Sequence, residues 1–94
     1  MATKNEITLA INLRIKKSPK PVYKSWAIGI THDLTARRQW HEDRGESTKH
    51  WSYWQAASLS DAQDVESHFI NSRNMKGGTG GDMDARKTTY VYIF

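Results

Sequence analysis

Near the start of the chain, apolar side chains fall on every second position. Ile7, Leu9, Ile11, Leu13 and Ile15 alternate with Thr8, Ala10, Asn12 and Arg14, the period of a half-buried strand. The pattern predicts a first strand over residues 7–15. Ser18-Pro19-Lys20-Pro21 breaks it, because each proline fixes its backbone and lacks the amide a sheet ladder needs. The apolar, β-prone run over residues 22–30 then predicts a second strand and, with the first, a β-hairpin. Thr31 or Asp33 is placed to cap a helix from Leu34 to Asp43, with Gly45 positioned to end it. The aromatic segment His50-Trp51-Ser52-Tyr53-Trp54-Gln55-Ala56-Ala57 reads as a strand. Ser60 with Gln63 forms a capping box, which predicts a second helix reaching about Ser72. The glycine-rich run from Gly77 to Gly81 predicts a turn, and the tyrosine-rich stretch from Thr88 to Phe94 predicts a last strand. The expected order is β-β-α-β-α-β, an α+β fold with a small central antiparallel β-sheet flanked by two helices, in one domain over residues 1–94.

Composition narrows the setting. Ninety-four residues, 37% hydrophobic and 26% charged, suffice for one modest core. The chain has no cysteine, which excludes disulfides and every thiolate-bound zinc or iron–sulfur site and makes the cytoplasm the expected compartment. The first residues lack a signal-peptide core and no apolar run is long enough to span a bilayer, so neither export nor membrane insertion is expected. The net charge of +4 lies wholly within residues 1–47. Arg14, Lys16, Lys17, Lys20 and Lys24 follow one another without an intervening acid. Such a run attracts phosphate-rich partners; lysines on a solvated edge strand that discourage edge pairing give the same pattern. Trp51, Tyr53 and Trp54 suit either base stacking or a small core.

One residue conflicts with its surroundings. On the wheel of the second helix, Glu66 falls inside the apolar arc of Ala62, Val65, Phe69 and Ile70. A carboxylate there needs a compensating partner. A salt bridge to Arg37 or Arg38, or a snorkelling position at the core rim, would provide it; so would a hard divalent cation, which prefers oxygen donors. In the first helix Arg37 and His41 are four residues apart and share a face. If that face meets the Glu66 face across the sheet edge, one site would hold a metal ligand, a phosphate-binding guanidinium and an imidazole able to move a proton, the parts required for phosphodiester hydrolysis.

The stretch Ala27-Ile28-Gly29-Ile30-Thr31-His32-Asp33-Leu34-Thr35-Ala36-Arg37-Arg38-Gln39-Trp40-His41 resembles the second half of the GIY-YIG nuclease motif. Ala62-Gln63-Asp64-Val65-Glu66-Ser67-His68-Phe69-Ile70 is similar to that family's Ala-x-x-x-Glu-x-x-Leu-Ile helix. The resemblance covers residues 7–70. It implies a GIY-YIG-like fold and divalent-metal-dependent endonuclease chemistry on nucleic acid, with DNA the expected substrate. Glu66 would hold Mg²⁺ or Mn²⁺, Arg37 would be the catalytic arginine, and His41 or a tyrosine such as Tyr23 would take the proton. Arg14, Lys16, Lys17, Lys20, Lys24 and Arg38 would contact nucleic acid, and either a partner protein would supply the targeting that such nucleases usually draw from a second domain or the domain would act on nucleic-acid structure rather than sequence. The sequence departs from the motif at both signature tyrosines. Ala27 occupies one position, and Asn12-Leu13-Arg14-Ile15 stands where the first strand should carry Gly-Ile-Tyr. Tyr23, Tyr53, His32 and His41 are the available substitutes, and Asn71 and Asn74 the candidates for the family's late asparagine. A nucleic-acid-binding or protein-interaction module that keeps the fold without catalysis is the alternative.

Overall fold

The computed structural model describes residues 1–77 and 83–94. Most of the glycine run therefore lies outside the described residues. The first element is a helix, α1 (Lys4–Lys16), where the alternation predicts a strand. A set of apolar residues spaced by two contains a set spaced by four, and the latter wins here: Ile7, Ile11 and Ile15 are fully buried, whereas Leu9 is 70% and Leu13 52% exposed. Thr3 and Glu6 close a capping box at its start. With no first strand there is no hairpin, and the basic residues lie on the end of α1 and the loop after it. A single 3₁₀ turn (Tyr23–Ser25) leads into β1 (Ala27–Thr31).

The next elements follow the sequence closely. Helix α2 (Leu34–Asp43) is capped by Asp33, whose side chain accepts from the Ala36 amide at 3.0 Å. Gly45 follows in the left-handed region at φ 82°. Strand β2 (Ser52–Gln55) occupies the middle of the aromatic segment. Helix α3 (Leu59–Arg73) starts earlier than predicted, because Ser58 rather than Ser60 is the cap and accepts from the Asp61 amide at 3.0 Å. Asn74, left-handed at φ 58°, ends α3. A two-residue strand β3 (Lys76–Gly77) begins where the sequence suggested only a turn, and β4 (Tyr90–Ile93) closes the fold.

The four strands form one mixed sheet in the order β2-β4-β1-β3. Strand β4 is antiparallel to both β1 and β2, and β3 runs parallel to β1. The chain is thus α+β with three helices and a mixed sheet. Side chains alternate across it. Ile28, Ile30, Val91 and Ile93 pack on one face with the buried isoleucines of α1 and with Ala62, Val65 and Phe69 of α3. Gly29, Tyr92 and Phe94 turn to the opposite face. There the His41 ring of α2 lies 5.5 Å from that of Tyr92 and 4.6 Å from that of Phe94. Trp51 stacks on Tyr92 at 4.5 Å, while Trp54 packs against the main core. Among the described residues, no helix is long and apolar enough to cross a membrane.

Candidate active site

A cleft of about 550 Å³ opens on the α2 side of the sheet. Arg37, His41 and Tyr92 all line it. Helix α2 brings the first two together through their four-residue spacing, as the sequence predicts. Strand β4 brings the third, which the sequence reading does not single out. Tyr92 reaches across β1 over Gly29, its register partner. A Cβ at residue 29 would overlap the Tyr92 hydroxyl and the ring carbon that bears it, so a side chain there would displace the phenol.

The cleft contains a three-membered hydrogen-bond chain. His41 Nδ1 lies 2.5 Å from Glu46 Oε2, and His41 Nε2 lies 2.8 Å from the Tyr92 hydroxyl. An ionised carboxylate only accepts, so Nδ1 carries the proton and Nε2 accepts from the phenol. Glu46 is held in turn by Arg44, 3.7 Å away. Burial pushes the Tyr92 phenol up to about 12; Arg37 pulls it down, and the Glu66 and Glu46 carboxylates add to the rise. Arg37 and Glu66 come from helices on opposite faces of the sheet, and Glu66 is not among the residues that line the cleft. Among the described residues, β3 pairs with Ala27 and Ile28 of β1.

Glu66 sits on the buried face of α3 as its wheel predicts, beside Ala62, Val65 and Phe69. Its Oε2 atom is buried without a hydrogen-bond partner among the described residues. Burial raises its carboxyl to about 7. The ion pairs proposed for it do not form. Arg38 bonds Thr48 at its hydroxyl (3.2 Å) and its carbonyl (3.3 Å) and lies 3.5 Å from Glu42. Arg37 instead lies 4.7 Å from the ring centre of Trp40, which Arg44 approaches to 4.3 Å. Among the described residues no group of three or more His, Asp or Glu could hold a metal ion. Among the described residues Glu66 has the one buried carboxylate oxygen without a partner, and Mg²⁺ is commonly held by one or two carboxylates with water and substrate phosphate making up the rest.

Other residues expected at the site lie elsewhere. The Tyr23 hydroxyl donates to Asn12 Oδ1 at 2.6 Å and its ring stacks on Phe69 at 6.1 Å, away from the cleft. Tyr53 is exposed on β2. His32 binds the loop before β4, with Nδ1 3.0 Å from the Thr88 carbonyl and Nε2 accepting from the Asp84 amide at 2.9 Å. Asn74 is the α3 cap. Of the basic run, Lys20 lines the cleft and Arg14 bonds Ser52 and the His50 carbonyl, whereas Lys16, Lys17 and Lys24 are exposed outside it. No protein-family model matches the chain, nor does any curated protein or solved structure.

Proposed function

We propose that the chain is a GIY-YIG-like, divalent-metal-dependent phosphodiesterase acting on nucleic acid, with DNA as the favoured substrate. The observation that carries this reading is the meeting of Arg37, His41 and Tyr92 in one cleft, with His41 Nε2 2.8 Å from the Tyr92 hydroxyl. In the resembled motif a tyrosine comes from the strand before the one ending in glycine. Here the antiparallel neighbour of β1 is β4, from far along the sequence, and it carries Tyr92 over Gly29. Tyr92 thus takes the role expected of Tyr23.

Each residue has a chemical task. Arg37 offers the scissile phosphate a planar fork of donors. Glu66 would hold Mg²⁺ or Mn²⁺, which when bound supplies positive charge at the phosphate and lowers the pKa of a coordinated water. Attack of water on phosphorus forms one P–O bond and breaks the ester P–O bond, and the leaving oxygen takes a proton from solvent. The water proton passes to the Tyr92 oxygen as the phenol proton passes to His41 Nε2, and the resulting imidazolium is stabilised by Glu46. A phenol with a pKa pushed up to about 12 suits this relay better than service as a standing phenolate. The test incubates supercoiled plasmid and branched DNA with Mg²⁺ or Mn²⁺. Wild-type protein is expected to cleave and Glu66→Ala to be inert; cleavage that persists in the variant refutes the assignment.

A further inference from the structure

Beside the cleft, a second cationic group is built around a buried indole. Trp26 is fully buried and its Nε1 donates to the Lys20 carbonyl at 2.9 Å, which fixes the ring. Lys20 Nζ lies 4.4 Å from the ring centre and donates to the Ser25 carbonyl at 3.1 Å. The Arg14 guanidinium lies 5.4 Å from the same ring, and its Nε donates to Ser52 Oγ at 2.9 Å. The His50 ring is 5.9 Å away. Burial lowers the Lys20 pKa, with Lys76 and Lys49 lowering it further; burial also lowers that of His50, with Lys20, Lys49 and Arg14 adding to the effect. Among the described residues no carboxylate forms an ion pair with Arg14, Lys20, Lys49 or Lys76.

Like charges this close repel, and here the ring face and the fixed hydrogen bonds hold them in place. An anion would relieve the repulsion. The group is continuous with the cleft, because Lys20 and Lys76 form part of its wall together with Arg37 and Arg44. A lone phosphate at Arg37 has no use for cations beyond the wall, whereas a chain of phosphates does. We propose that Arg14, Lys20, Lys49 and Lys76 bind the phosphate backbone of a polynucleotide where it leaves the cleft. This rests on the nucleic-acid reading above and adds to it the length of the substrate and the side on which it runs.

The test measures binding in EDTA, where no cleavage occurs, using a long labelled single-stranded oligonucleotide and a dinucleotide. Lys49→Gln/Lys76→Gln removes two charges while sparing the bonded Lys20 and Arg14. Lys4→Gln/Lys87→Gln removes two charges elsewhere. For the long strand, the first pair is expected to lower the slope of log affinity against log salt by about 1.4, and affinity near 0.1 M salt roughly 10- to 30-fold. The control pair should stay close to wild type, and the first pair should weaken dinucleotide binding far less than binding of the long strand. Equal loss in the control pair, no loss in the first pair, or equal competition by polyglutamate of matched charge overturns the proposal. If wild-type protein binds no oligonucleotide, the nucleic-acid reading itself fails. If it binds and cleaves while the first pair behaves like wild type, only the track fails.

Discussion

Replacing Glu66 with glutamine isolates the cost of the buried carboxylate. The folded state holds the Glu66 proton up to about pH 7, whereas the unfolded chain releases it near 4.5. Between these values the folded state binds more protons than the unfolded state, so stability falls as pH rises through that window and levels off above it. Each pKa unit corresponds to about 1.4 kcal/mol. A carboxyl entirely out of water would therefore carry a penalty of about 3 kcal/mol, and solvent reaching this partly exposed side chain reduces it to about 2 kcal/mol. Glu66→Gln keeps the shape and removes the titration. Urea unfolding should find the two proteins close at pH 4.5 and the variant more stable by about 2 kcal/mol at pH 8, which in a domain of this size raises Tm by roughly 10 °C. Saturating Mg²⁺ should stabilise the wild type at pH 8 and leave the variant unmoved. Parallel stability curves from pH 4.5 to 8, or a variant less stable at pH 8, would refute the reasoning.

Tyr92→Phe keeps the stacking on Trp51 and removes the hydroxyl bonded to His41, so cleavage should slow about 10²-fold or more while near-ultraviolet circular dichroism is unchanged. Gly29→Ala places a methyl group where the phenol lies and should cost about 1–3 kcal/mol in urea unfolding together with most of the cleavage activity. Ile11→Ala should cost about 2–5 kcal/mol, whereas Leu9→Ala, on the exposed face of α1, should change stability by less than about 0.5 kcal/mol. A first strand would place those two residues on one face and give similar losses.

Legibility in the sequence followed the range of the interactions involved. Helix α2 and its Asp33 cap, the aromatic β2 and the β-rich end were readable because local spacing and capping decide them. Glu66 was readable because a wheel places one carboxylate among apolar neighbours, and Arg37 and His41 because four residues make one turn. Helix α1 was misread because the two periods share Ile7, Ile11 and Ile15; the Thr3 and Glu6 capping box was the signal that separates them. Tyr92 was missed because its role depends on strand order, which no local pattern carries. The available hint was that it alternates with the core residues Val91 and Ile93, and so faces the other side. The Trp26 group was invisible for the same reason, since its cations come from four separate segments.

The position of β4 bears on how the molecule assembles. It lies between β1 and β2, which are joined to each other only through it. Both of its ladders span long stretches of chain, with Ile28 paired to Ile93 and Ser52 paired to the same residue. Closing such loops costs entropy before any contact repays it. Helices α1, α2 and α3 can each form on local contacts first, but the two halves of the sheet stay apart until β4 inserts. The strand that completes the sheet also delivers Tyr92, so the cleft acquires its phenol in the same step that makes folding cooperative, and partly folded forms lack the hydroxyl that the proposed chemistry would use.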